Sequence, residues 1–353
     1  MKSTHVLRFL AVLGMALVVA GCGLSPQDDG SSSSVRLMTH DSFDISQEVL
    51  DEFTAETGIT VEVFKSGDGG EMLNKAILAK SNPLADVIYG IDNTFLSRAL
   101  DEDVLLPYDS PALSEVPAEF QLDPQSRALP VDYGDVCLNY DIAWFNDKGL
   151  EPPTSLDDLA SADYAGLTVV ENPATSTPGL AFLLTTISAY GEDGYLDYWQ
   201  TLRDANVLVV DGWEQAYYEY FTAASEGDRP IVVSYASSPA AAVYYAEEPL
   251  DSAPTAAVLN DNTCFRQIEF TGILSGTPNE AEARQLVNFL LGKRFQEDIP
   301  LHMFVYPVNE TAVLPDVFTR YASVAENPAT LDPELIEAQR QTWIEDWTNT
   351  VLR

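Results

Sequence analysis

Four short stretches combine turn-forming residues with polar or aromatic side chains in a way that suits a small polar ligand. "SGDGGE" (Ser66–Glu71) joins a strand-like run to a helix-like one. Its glycines let backbone approach a ligand closely, and Asp68 supplies a charge or a helix cap, though a plain capped loop would read the same way. "TSTPG" (Thr175–Gly179) precedes an apolar run. Thr177 before Pro178 reads as a cap followed by a first-turn proline, which would leave backbone N–H groups free for an anion. "DGWEQAYYEYF" (Asp211–Phe221) places Trp213 between a turn and an aromatic helix, with Tyr217, Tyr218 and Phe221 read as core. "SYASSP" (Ser234–Pro239) follows the buried-strand pattern "IVV", and ligands of open α/β sheets lie beyond the carboxyl ends of strands. That places Tyr235, Ser237 and Ser238 at the ligand end. Together these stretches outline a polar cradle with two aromatic faces, which beside carboxylates suits a flat cationic ligand.

The elements that must position these residues alternate. From Val35 onward, strand-like and helix-like runs follow one another as "VRLMTH", "ISQEVLDEFTAETG", "ITVEVFKS", "EMLNKAILAK" and "ADVIYGI". That order predicts a mostly parallel sheet with helices on both faces. A second α/β unit begins near "EPPTSLDDL", with strands at "LTVVE", "ANVLVV" and "PIVVSYA". "EAEARQLVNFLLGKRFQEDI" reads as one long helix and "PELIEAQRQTWIEDWTNTVL" as a last amphipathic one. Two extended crossings, at about 129–140 and 264–274, would join the two lobes and leave a cleft between them, where small-ligand sites concentrate. The expected boundaries are lobe 1 at 35–135 plus 268–353 and lobe 2 at 136–267, with the C-terminal helices free to pack across to lobe 2. If the crossings lie side by side, Cys137 and Cys264 come within bonding range.

The first 21 residues read as a signal peptide: Lys2 and Arg8, then "FLAVLGMALVVA", ending in "VVAGC". That ending resembles the lipobox of bacterial lipoproteins, which would make Cys22 a lipid anchor. The polar stretch that follows, to residue 34, suits a flexible tether. The chain has 353 residues, 18 Lys and Arg against 55 Asp and Glu, and a formal net charge of -37. Such a chain repels nucleic acid and weakly favours cationic solutes.

Enzyme chemistry is poorly represented. Only His40 and His302 remain after residues 1–21, and there is no G-x-S-x-G, P-loop or H-E-x-x-H pattern. Tyr244 and Tyr245 could ligate ferric iron, although an adjacent aromatic pair is more often core. No resident metal or cofactor is expected, and the chain is not read as an enzyme.

The order of "THDSF", "GDGGEMLNK", "ADVIYGIDN", "VDYG", "TSTPGL", "GWEQAY", "SYASSPA", "YPVN" and "AQRQTWIEDW" resembles the bacterial thiamine-binding proteins that serve ABC transporters. The likeness runs from Val35 to the C-terminus. It implies a type II two-lobed periplasmic-binding-protein fold, most simply monomeric. Its ligand would be thiamine or its phosphate esters, delivered to a membrane permease. Carried over residue by residue, the family's ligand contacts fall on Asp68, Gly69, Ser176, Thr177, Trp213, Tyr235, Ala236, Ser237 and Ser238. On that reading Ser176–Thr177 and Tyr235–Ser238 would face the hydroxyethyl end, where a phosphate sits in the esters. Three positions depart from the family: His40 and Ala241 replace tyrosines, and Phe304 replaces a tryptophan. Tyr244 or Tyr245 could compensate. The alternatives are a receptor for another small cation or ferric iron, and an extracytoplasmic hydrolase on the same scaffold.

Overall fold

The computed structural model describes residues 33–353, so the signal peptide, Cys22 and most of the tether lie outside the described residues. Ser33 and Ser34, expected in the tether, already pair with Ile59 and Thr60.

Among the described residues eleven strands form one continuous, curled sheet. They are β1 (Ser33–Thr39), β2 (Ile59–Lys65), β3 (Val87–Asp92), β4 (Leu105–Leu106), β5 (Leu129–Asp141) and β6 (Thr168–Glu171), followed by β7 (Leu208–Val210), β8 (Ile231–Tyr235), β9 (Thr255–Ala257), β10 (Phe265–Leu274) and β11 (Tyr306–Pro307). The main order is β2-β1-β3-β10-β5-β8-β6-β7. β1 runs parallel to β2 and β3, and β6 parallel to β7 and β8. The two parallel flanks meet through the antiparallel pair β5 and β10, the two extended crossings read from the sequence. β5 reads as a long buried run because it is covered on both faces.

Phe265 pairs with Val136, so Cys137 and Cys264 face each other, 4.3 Å between Cα atoms, and are joined by a disulfide. The ring it closes spans 127 residues of sequence separation and contains the whole second flank.

Helix Thr177–Tyr190 is apolar on all sides and buried over its first eleven residues, so it runs through the interior. Its N-cap is Ser176, whose hydroxyl accepts from the Gly179 N–H, one residue before the predicted cap; Pro178 is second in the helix. The expected long helix over 280–299 breaks at Gly292 into Glu280–Leu290, Lys293–Gln296 and Ile299–His302. Gln296 is fully buried there and ties the broken end down. It donates to the Val131 and Leu290 carbonyls and accepts from the Val308 and Asn309 N–H groups.

The last helix, Pro333–Val351, packs against both flanks of the sheet. Trp347 is buried edge-on against Trp199, and Arg203 donates to the Thr350 carbonyl. At its other end Arg340 donates to the Thr94 carbonyl and lies 5.1 Å over the Phe95 ring.

Candidate functional site

A cavity of about 930 Å³ opens against the centre of the sheet, at the upper end of the range for drug-sized ligand pockets. Residues from both flanks line it, with the β5–β10 pair as its floor.

Asp68 caps helix Gly69–Leu78, accepting from the Gly69 N–H at 2.7 Å. The same oxygen accepts from the Thr177 N–H at 3.0 Å. One carboxylate therefore joins the starts of two helices, where the positive ends of both dipoles favour it. The backbone donors expected to be free at this end are taken: Thr177 N–H by Asp68, Gly179 N–H by Ser176, and Pro178 has none. Burial raises the Asp68 carboxyl above its usual range, opposed by these N–H bonds and by His40. Gly69 is needed for the approach, because a Cβ there would sit 2.8 Å from the Thr177 methyl carbon.

The aromatic wall comes from the other flank. Trp213 stacks on Tyr217 at 5.1 Å and donates its indole N–H to the Ser234 hydroxyl at 2.9 Å. Residues 216–220 form a single wide π turn, not a regular helix. That turn buries Tyr217 and Phe221 but leaves Tyr218, expected in the core, 55% exposed at the cavity. Tyr235 packs its ring against the bare Cα of Gly134 and donates its hydroxyl to Gln267 at 2.7 Å. Gln267 in turn donates to Thr177 Oγ1 and to Asp92.

Asp68, Gly69, Thr177, Trp213, Tyr235 and Ser238 all line the cavity. Ser176, Ala236 and Ser237 stand behind it, with polar groups already engaged. Ser176 caps its helix, the Ala236 N–H bonds the Asp135 carbonyl, and the Ser237 hydroxyl bonds the Phe304 carbonyl. That last contact braces Phe304, a non-glycine residue held at φ 54° beside the cavity.

The three positions read as departures, His40, Ala241 and Phe304, all line the cavity, and His40 lies over Gly90 with Nε2 3.5 Å from Glu269. Burial works against the His40 charge, but Glu269 and then Asp68 outweigh it and raise its pKa. Tyr244 and Tyr245 are half exposed rather than core, and both rings contact Phe304. Only Tyr245 reaches the cavity.

Sequence reasoning missed the floor. Asp132 and Glu269 line it; Asp132 lies within "VDYG" but no role is assigned to it there, and Glu269 belongs to no quoted motif. Asp132 accepts from the Tyr89 hydroxyl, and burial followed by the Glu269 charge raises its pKa well above the usual carboxylate range. Asp92, just behind, is pushed up to about 6, chiefly by burial. In all, nine lining residues are Asp or Glu, against Lys65 and two histidines. Among the described residues no group of three or more His, Cys, Asp and Glu is arranged to hold a metal ion. The arrangement suits an organic cation with a flat ring.

The fold and the cleft define a class, and the comparisons agree with it. The family of bacterial extracellular solute-binding proteins matches residues 82–322, and the chain belongs to it. Within that class it groups with the thiamine-binding periplasmic proteins. The thiamine-binding periplasmic protein of Salmonella typhimurium is 31% identical over 304 residues, covering 85% of this chain and 87% of the relative. That of Brucella suis is 29% identical over 348 residues, covering 97% and 98%. A solved periplasmic thiamin binding protein superposes with a TM-score of 0.80 at 28% identity, covering 94% of this chain and all of the other. The chain is an extracytoplasmic solute-binding protein, not an enzyme. No helix among the described residues is long and apolar enough to cross a membrane.

Proposed function

We propose that this protein captures thiamine in the central cavity and hands it to the permease of an ABC transporter while tethered to the membrane through a lipidated Cys22. The carrying observation is the cavity's division into an acidic floor and an aromatic wall. Carboxylates suit the fixed positive charge of a thiazolium, and Trp213 and Tyr235 suit a flat heteroaromatic ring. Asp68, Gly69, Thr177, Trp213, Tyr235 and Ser238 contact the ligand, while Ser176, Ala236 and Ser237 hold those contacts in place. Capture proceeds by closure of lobe 1 (35–135 and 268–353) against lobe 2 (136–267), which a monomer accomplishes alone.

Phosphate esters enter at a disadvantage. A phosphate adds a charge of about -1.5 to -2 near neutral pH, and the helix end that would greet it already holds Asp68. Isothermal titration of the protein, unfolded and refolded to strip bound ligand, with thiamine, its monophosphate and its diphosphate tests this. The expected order is thiamine tightest and diphosphate weakest, each one-to-one. Absence of binding by all three would refute the reading, and a preference for the diphosphate would refute the acidic-floor argument.

A further inference from the structure

The cavity floor has a property that cation binding alone does not require. Glu269 on β10 is the register partner of Asp132 on β5 and also of Asp92 on β3. Three carboxyl groups therefore cross three neighbouring strands in one row. Like charges set directly opposite destabilise a sheet, and two carboxylates sharing a site do not both ionise readily. Asp92 and Asp132 are fully buried, and the Glu269 side chain is 13% exposed.

Asp92 is occupied, its two oxygens accepting from Thr94 and Gln267. Asp132 is not. Its Oδ2 takes the Tyr89 hydroxyl, while Oδ1 is buried without a partner. The titratable groups facing the pair come from several elements. After β1 lies His40, 3.5 Å from Glu269, with Lys65 at the end of β2 acting on His40. Asp68 comes from the loop before helix Gly69–Leu78, Tyr89 from β3 and Tyr235 from β8. Among the described residues no ion pair joins Asp132, and the nearest cation-forming group, His40, sits against Glu269 instead.

Resting on the proposed cation binding, we infer that Asp132, set opposite Glu269, holds a proton in the unliganded cavity and gives it up to solvent when an organic cation enters. Uptake is thereby linked to proton release. The neighbours act in the same direction. An arriving cation favours the ionised forms of Asp132 and Asp68 and disfavours protonated His40, so each of them binds protons less tightly in the complex. The unliganded protein carries more protons, so affinity rises with pH across the range in which Asp132 titrates. It levels off once the proton is already gone.

The test is titration of the purified protein with thiamine between pH 6 and 8 in phosphate and in Tris, whose ionisation enthalpies differ. The expected result is a buffer-dependent heat corresponding to proton release. Affinity should rise with pH, by at most about ten-fold per unit for one proton. Asp132→Asn and Glu269→Gln keep the side-chain shape; the first should cut the buffer-dependent heat to the smaller share released by His40 and Asp68, and the second should shrink it by removing the charge opposite Asp132. Should either fail to fold, the two-buffer comparison on the unaltered protein still decides. Equal heats in both buffers with affinity flat across pH would overturn the inference while leaving thiamine binding intact. Loss of release in His40→Gln with release undiminished in Asp132→Asn would also overturn it, by moving the proton to the histidine. No thiamine heat from folded protein at any pH would refute the binding reading itself, and the linkage with it.

Discussion

The two sides of the cavity are built by different means. The acidic side is fixed by backbone: strand register sets Asp132 against Glu269, and two helix starts converge on Asp68. The aromatic side is fixed by side chains. Trp213 is placed by its stack on Tyr217 and by one hydrogen bond to Ser234, and Tyr235 by its contact with Gly134 and its bond to Gln267. Charge placed by backbone cannot be adjusted by changing a rotamer. A ring placed by packing can be exchanged for another ring of similar size.

Three substitutions would break or sharpen the comparison. Trp213→Ala removes the largest ring of the wall and should weaken thiamine binding at least ten-fold, about 1.4 kcal/mol. Because Trp213 is only half buried, the melting temperature should move little. An unchanged affinity would remove the aromatic wall from the account. Asp68→Asn keeps an oxygen for the Gly69 and Thr177 N–H groups but deletes the charge. It should cost about 1 kcal/mol, roughly five-fold in affinity, with helix content by circular dichroism unchanged. A loss as large as that of Trp213→Ala would show that charge, not ring contact, dominates. Tyr218→Ala, at the exposed rim, should change affinity by no more than about two-fold. A larger loss would mean that the wall extends over the ligand on closure.

Legibility in the sequence follows the same division. The crossings showed because β5 and β10 are long extended runs in a chain of otherwise short strands, and the disulfide followed from setting them side by side. Trp213 and Tyr235 showed because turns and strand ends mark themselves in composition. The Asp132–Glu269 pair did not, since its meaning arises only from the register of two strands far apart in the chain, in a protein where carboxylates abound. Tyr218 was misplaced because a wide turn shifts the helical period by which its face was judged. The cap fell one residue away because Ser176 and Thr177 are both competent caps, and only the fold shows that Asp68 claims the Thr177 N–H.

The disulfide between Cys137 and Cys264 turns the whole second flank into a covalent loop with a single knot at its neck. A protease cut inside that loop, for example in the exposed stretch Glu247–Asp251, severs the backbone without parting the molecule. The pieces stay tied at the strands that carry the cavity floor. Nicked protein should thus migrate as one species until it is reduced, and should keep the paired strands on which its charge arrangement depends.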